Sequence, residues 1–102
     1  MTKYGLSDSQ IEEITHILAM YPAIEEAVLF GSRAINTHKK ASDIDLVIKG
    51  KKTDVSLAAT LKDRFEEETY LPFFVDVIAY PSITSEVLKK HINDHGIVLY
   101  HR

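Results

Sequence analysis

"LFGSRAINTHKKASDIDLVI", residues 29–48, decides how the rest of the chain is read. An apolar run ends at Gly31-Ser32-Arg33, a polar stretch follows, and Asp43-Ile44-Asp45 then opens a second apolar run. In a strand, residues two apart point to the same face about 6.5–7 Å apart, so Asp43 and Asp45 are expected to project side by side while Ile44 and Leu46 face away. Like charges so placed repel, and a divalent cation bound by hard oxygen ligands would offset that repulsion. Gly31 permits close backbone approach. The amides of Ser32 and Arg33, with the serine hydroxyl, offer donors to anionic oxygens at a candidate helical turn over 32–35.

Outward from this stretch the chain alternates helical and extended segments. Ser7 with Gln10 reads as a capping box for a helix with Ile11, Ile14, Ile17 and Leu18 on its apolar stripe, stopped by Pro22. Residues 26–30 (EAVLF) and 43–49 (DIDLVIK) read as buried strands, the second ended by the turn-prone KGKKTD. Thr53 or Asp54 caps a second helix whose inner face is Leu57, Ala58, Leu61 and Phe65, running out in Glu66–Glu68. Residues 73–80 (FFVDVIAY) form a third strand closed by Pro81. Thr84 or Ser85 opens a helix with Val87, Leu88 and Ile92 that Gly96 terminates, and IVLY at 97–100 is a candidate edge strand. The expected architecture is α/β (α+β): a small mixed sheet with helices packed against it, in the order αβ(α)βαβα, as one domain over residues 1–102.

Composition narrows the function classes. With 102 residues, 45% hydrophobic, the chain buries one core, and 12 basic against 15 acidic residues give a formal charge of −3. That balance argues against an extensive nucleic-acid surface. The absence of cysteine removes disulfides, thiol nucleophiles and thiolate metal sites and accords with a reducing compartment. No signal-like block or membrane-length run occurs, so a soluble, cytoplasmic protein with no membrane association is expected.

Asp76 is the third acid of interest, interrupting an otherwise apolar strand where a buried carboxylate would need a partner. On a strand beside Asp43 and Asp45 it would complete a three-carboxylate cluster able to hold two metal ions about 4 Å apart, an arrangement suited to phosphoryl transfer. Arg33, Lys39 and Lys40 add candidate cationic contacts. A phosphate cradle beside a metal cluster points to a metal-bound nucleoside triphosphate. Other motifs do not fit. In phosphatase- and glycosyltransferase-type Asp-x-Asp motifs the apolar strand comes before the pair, an EF-hand needs an oxygen ligand at Val47 and glycine at Ile48, and neither a Walker A nor a Gly-x-Gly-x-x-Gly pattern occurs. His91 and His95 share a helix face but lack the metalloprotease glutamate, so they read as an exposed helix end, and His38 reads as a solvated loop residue. Tyr70, Phe73 and Phe74 are open between core and partner surface.

The combination of "FGSRA", "SDIDLVI" and a later strand aspartate resembles the nucleotidyltransferase superfamily typified by DNA polymerase beta, and more closely its minimal nucleotidyltransferase (MNT) members. The resemblance covers residues 27–80 by motif and nearly the whole chain by element order. It implies that Gly31, Ser32 and Arg33 bind the nucleotide, and that Asp43, Asp45 and Asp76 are catalytic and bind magnesium, with Asp76 helping to activate the incoming hydroxyl. It also implies two magnesium ions with ATP as substrate, and a HEPN-type toxin as partner in a hetero-oligomer. AMP would be transferred to a hydroxyl of that toxin, a tyrosine above all, the chain acting as antitoxin. The alternative is an antitoxin that neutralises a HEPN ribonuclease by occlusion without catalysis. Ile35-Asn36 stands where many relatives carry a second basic residue and glycine.

Overall fold

The computed structural model describes residues 2–39 and 42–102, so Lys40 lies outside the described residues. The element order is β1 (Thr2–Lys3), β2 (Leu6–Ser7), α1 (Asp8–Ala19), β3 (Glu26–Phe30), β4 (Ile44–Lys49), α2 (Val55–Glu68), β5 (Val75–Ala79), α3 (Glu86–His95) and β6 (Ile97–His101), with single 3-10 turns at Gly31–Arg33 and Tyr80–Ser82. Four strands form a mixed sheet in the order β5-β4-β3-β6. β3 runs antiparallel to β4 and β6, while β4 and β5 are parallel, joined by the α2 crossover.

The helix boundaries follow from local chemistry. The Ser7 hydroxyl accepts from the Gln10 amide while the Gln10 side chain accepts from the Ser7 amide, satisfying two donors that the first turn of α1 leaves open. Asp54 caps α2 through the Leu57 amide and Ser85 caps α3 through the Leu88 amide. Along β3, β4 and β5 alternate side chains serve two apolar layers. Leu29, Leu46 and Val77 pack with Ile14, Leu18 and Leu61 beneath α1 and α2. Val28 and Val47 pack with Ile92 of α3 on the opposite face. Both faces of the sheet are therefore partly covered, which holds the starts of β4 and β5 rigidly against the end of β3.

Two features differ from the sequence reading, the start of β5 and the amino-terminal hairpin, while the edge strand expected at 97–100 is present as β6. β5 begins at Val75 rather than Phe73, because Phe73 turns under the Arg33 guanidinium, 4.7 Å from its ring centroid. β6 is an edge strand with a register shift against β3 between Ala27 and Val28. The amino-terminal hairpin β1–β2 has no counterpart in the sequence reading: its turn, Tyr4-Gly5, carries positive φ at both residues (58° and 75°), and tyrosine gives no composition signal for such a turn.

Candidate active site

The site forms where the end of β3 meets the starts of β4 and β5. β3 delivers the chain into Gly31, whose φ of 76° is a conformation that suits glycine. A side chain here would also collide with the Asp45 carboxylate, so backbone and carboxylate lie in direct apposition. Residues 31–33 then form a single 3-10 turn, closed by the Ala34 amide donating to the Gly31 carbonyl, whose first amides have no carbonyl within the turn to donate to.

The Arg33 side chain is placed beneath the site rather than in it. It is only 2% exposed. Its Nε and Nη2 donate to the Ser42 carbonyl at 3.2 and 2.6 Å, and its Nη1 donates to the Tyr4 carbonyl at 3.0 Å. Burial pushes its pKa down and the nearby Asp43 acts against that, leaving a guanidinium that is cationic at neutral pH. One side chain thereby ties the turn to the amino-terminal hairpin and to the segment leading into Asp43.

The carboxylates come together through sheet register. Asp45 of β4 is the register partner of Asp76 of β5, so the two point from the same face of neighbouring parallel strands. Burial pushes the Asp45 pKa up, the charges of Asp76 and Asp43 raise it further, and His91 pulls it down. Asp43 is exposed just ahead of β4. Asp76 is half-exposed, and its Oδ1 lies 3.2 Å from the Lys62 ammonium of α2. Among the described residues no three carboxylates or imidazoles already close around a point as an ion cage. The three acids lie at one end of the sheet, Asp45 feels the charge of the other two, and Asp76 turns one oxygen to Lys62. Hard oxygen donors that repel one another, open to solvent beside a glycine turn, suit a magnesium ion bearing phosphate oxygens.

His91 belongs to this site, contrary to its reading as an exposed helix end. Its Nε2 accepts from the Gly31 amide at 2.9 Å, and its ring stands edge-on to Phe30. The sequence spacing of His91 and His95 pointed to a shared helix face, and their rings are 5.5 Å apart. Nothing in that spacing says that α3 lies over the end of β3. His38 is likewise half-buried rather than solvated, its ring packed against Gly5. Lys39 is exposed in the loop.

A glycine turn after a sheet strand, a carboxylate just ahead of the neighbouring strand, a second on it and a third in register beside that one accord with a nucleotidyltransferase domain. The chain belongs to the family described as "Polymerase beta, Nucleotidyltransferase", whose profile matches residues 12–102. None of the curated proteins compared matches it. Among solved structures it is similar to a chain of a toxin–antitoxin complex with AMP-PNP: 23% identity, 95% of this chain and 75% of that one covered, TM-score 0.72. It is similar also to a chain of the MntA–HepT toxin–antitoxin complex: 21% identity, 94% and 74% covered, TM-score 0.71. At such identity the likeness is one of fold.

Proposed function

We propose that this chain transfers AMP from ATP, with magnesium, to a hydroxyl of a partner protein, and that the partner is a HEPN-type toxin which the transfer silences. The observation that carries the reading is the in-register pairing of Asp45 with Asp76, the charges of Asp76 and Asp43 both acting on Asp45, against the Gly31 turn. The likeness to toxin–antitoxin structures, one of them holding AMP-PNP, supports the nucleotide and the kind of partner.

In this reading Ser32 and the amides of the turn bind the β- and γ-phosphates, and Arg33 holds the turn in place from below. Asp43, Asp45 and Asp76 would hold two magnesium ions. When bound, these supply charge neutralisation at the phosphates. Asp76 positions the attacking hydroxyl and accepts its proton. His91 fixes the Gly31 amide and hence the pitch of the turn. Among the described residues no helix is long and apolar enough to cross a membrane.

The experiment is transfer of label from α-labelled ATP to the co-purified partner in magnesium. Wild-type protein labels the partner, and folded Asp43→Asn and Asp45→Asn variants do not. Labelling that persists in both variants rejects the assigned site. Toxin suppression that survives in both without any labelling points instead to occlusion.

A further inference from the structure

The segments that lead into the site meet at one buried side chain. Arg33 leaves the Gly31 turn, and its guanidinium donates to the carbonyl of Ser42, the residue before Asp43, and to the Tyr4 carbonyl of the amino-terminal hairpin. The centroid of the Phe73 ring, three residues ahead of Asp76, lies 4.7 Å from the guanidinium carbon. The Ile44 amide donates to the Phe74 carbonyl at 2.9 Å, so the chain entering β4 and the chain entering β5 are also tied to each other.

Of these segments the hairpin alone carries no residue assigned to the site, and it lies ahead of residues 12–102, the stretch that the family profile matches. Its turn is nonetheless fitted closely to the arginine. Gly5 has a φ of 75°, and a methyl group there would come within 2.6 Å of both Arg33 Nη1 and His38 Nε2. Arg33 has little freedom to give way, being 2% exposed and committed to three hydrogen bonds, and His38 is half-buried. The guanidinium is a rigid plane, so its contacts cannot be changed one at a time. A push on Nη1 from the hairpin rotates the whole fork, and the Ser42 carbonyl and the Phe73 ring lose their partner together.

We infer that the hairpin turn, through Gly5 and the Tyr4 carbonyl, is a positioning element of the metal site: it holds Arg33 in the pose that sets Asp43 and Asp76 beside Asp45. The inference rests on the nucleotidyl-transfer reading above and adds to it a part of the chain that touches neither phosphate nor metal. Ligands to one ion must keep their places to within about 0.5 Å. Groups that orient such ligands from outside are commonly worth about ten- to a hundredfold in metal affinity.

The test measures binding of manganese to the full chain, the free ion being followed by electron paramagnetic resonance, so that no turnover is needed. Each variant is compared with wild type at a temperature where circular dichroism shows it folded. Gly5→Ala is expected to weaken manganese binding about tenfold. Adding His38→Ala, which removes one of the two groups the methyl would meet, recovers part of that loss. Lys3→Pro loosens the pairing of β1 with β2 without adding bulk beside Arg33, and weakens binding by a smaller factor. Ile14→Val, in the core beneath α1, lowers the melting temperature and leaves manganese binding unchanged. Wild-type manganese binding in both Gly5→Ala and Lys3→Pro overturns the inference, whatever their melting temperatures. So does an equal loss in Ile14→Val, which means a general loosening of the fold. Weaker binding of AMP-PNP in Gly5→Ala with manganese binding unmoved overturns it too, since the hairpin then acts on the Gly31 turn and not on the acids. Should wild type bind manganese no better than Asp45→Asn does, it is the metal site itself that fails, and this inference falls with it.

Discussion

The two halves of the site are built on opposite principles. The turn at residues 31–33 is closed upon itself: a buried guanidinium gives three hydrogen bonds to two carbonyls, a glycine sits where a side chain would collide, and the Gly31 amide is held by an imidazole. The carboxylate edge is left open. Asp45 and Asp76 are set side by side by the ladder, Asp43 adds a third charge, and the ion pair between Lys62 and Asp76 is exposed to water and weak. The contrast shows where stability and binding are separated. Interactions that hold the turn are complete before any ligand arrives, whereas the acids carry a repulsion that a bound cation would relieve.

The sharpest way to test that division is to remove the acids. Asp43→Asn and Asp45→Asn are each expected to lower the proposed AMP transfer by about a thousandfold with the circular dichroism spectrum unchanged, since the role proposed for them is to hold the ligand. Removing the arginine does the converse. Arg33→Ala strands the Tyr4 and Ser42 carbonyls and leaves a void beneath the turn, at a cost of about 3 kcal/mol read as a drop in the urea midpoint. Arg33→Lys recovers little of it, because an ammonium cannot reproduce the planar fork.

Gly31→Ala lies on the seam between the halves. The methyl group faces both an unfavourable positive φ and the Asp45 carboxylate, for a loss of about 2 kcal/mol in stability and a raised KM for ATP in the same variant. The smallest effect is thermal. In the folded chain Asp45 has a raised pKa, so between the ordinary carboxylate range and that raised value the folded state keeps a proton that the unfolded chain has released. Stability from this group therefore grows as pH falls through the folded pKa, and the repulsion is fully present above it. Asp45→Asn should raise the melting temperature by a few degrees at pH 7, the gain fading toward about pH 4. Magnesium at neutral pH should raise the melting temperature of wild type more than that of the variant.

Much of the fold is legible in the sequence because its signals are local. Ser7 with Gln10, Asp54, Ser85 and the apolar periodicity of residues 26–30 and 44–49 each act within a few residues, and α1, α2, α3, β3 and β4 lie within one or two residues of the expected bounds. The hairpin at Tyr4-Gly5 is not legible. Its turn residue is atypical, and its Tyr4 carbonyl is held by an arginine 29 positions away. Phe73 is drawn out of β5 by the same arginine.

The residue types of the site were present in the order of the chain: a glycine turn after one strand, an Asp-x-Asp pair opening the next, an aspartate inside a third. The chain by itself determined those, because two-residue alternation and turn chemistry operate along the backbone. That Asp76 stands level with Asp45, that Arg33 points inward, and that His91 reaches the Gly31 amide from 60 residues away were decided only by the tertiary structure. Strand register and helix docking are set by the packing of whole apolar faces, and no short stretch of sequence contains that information.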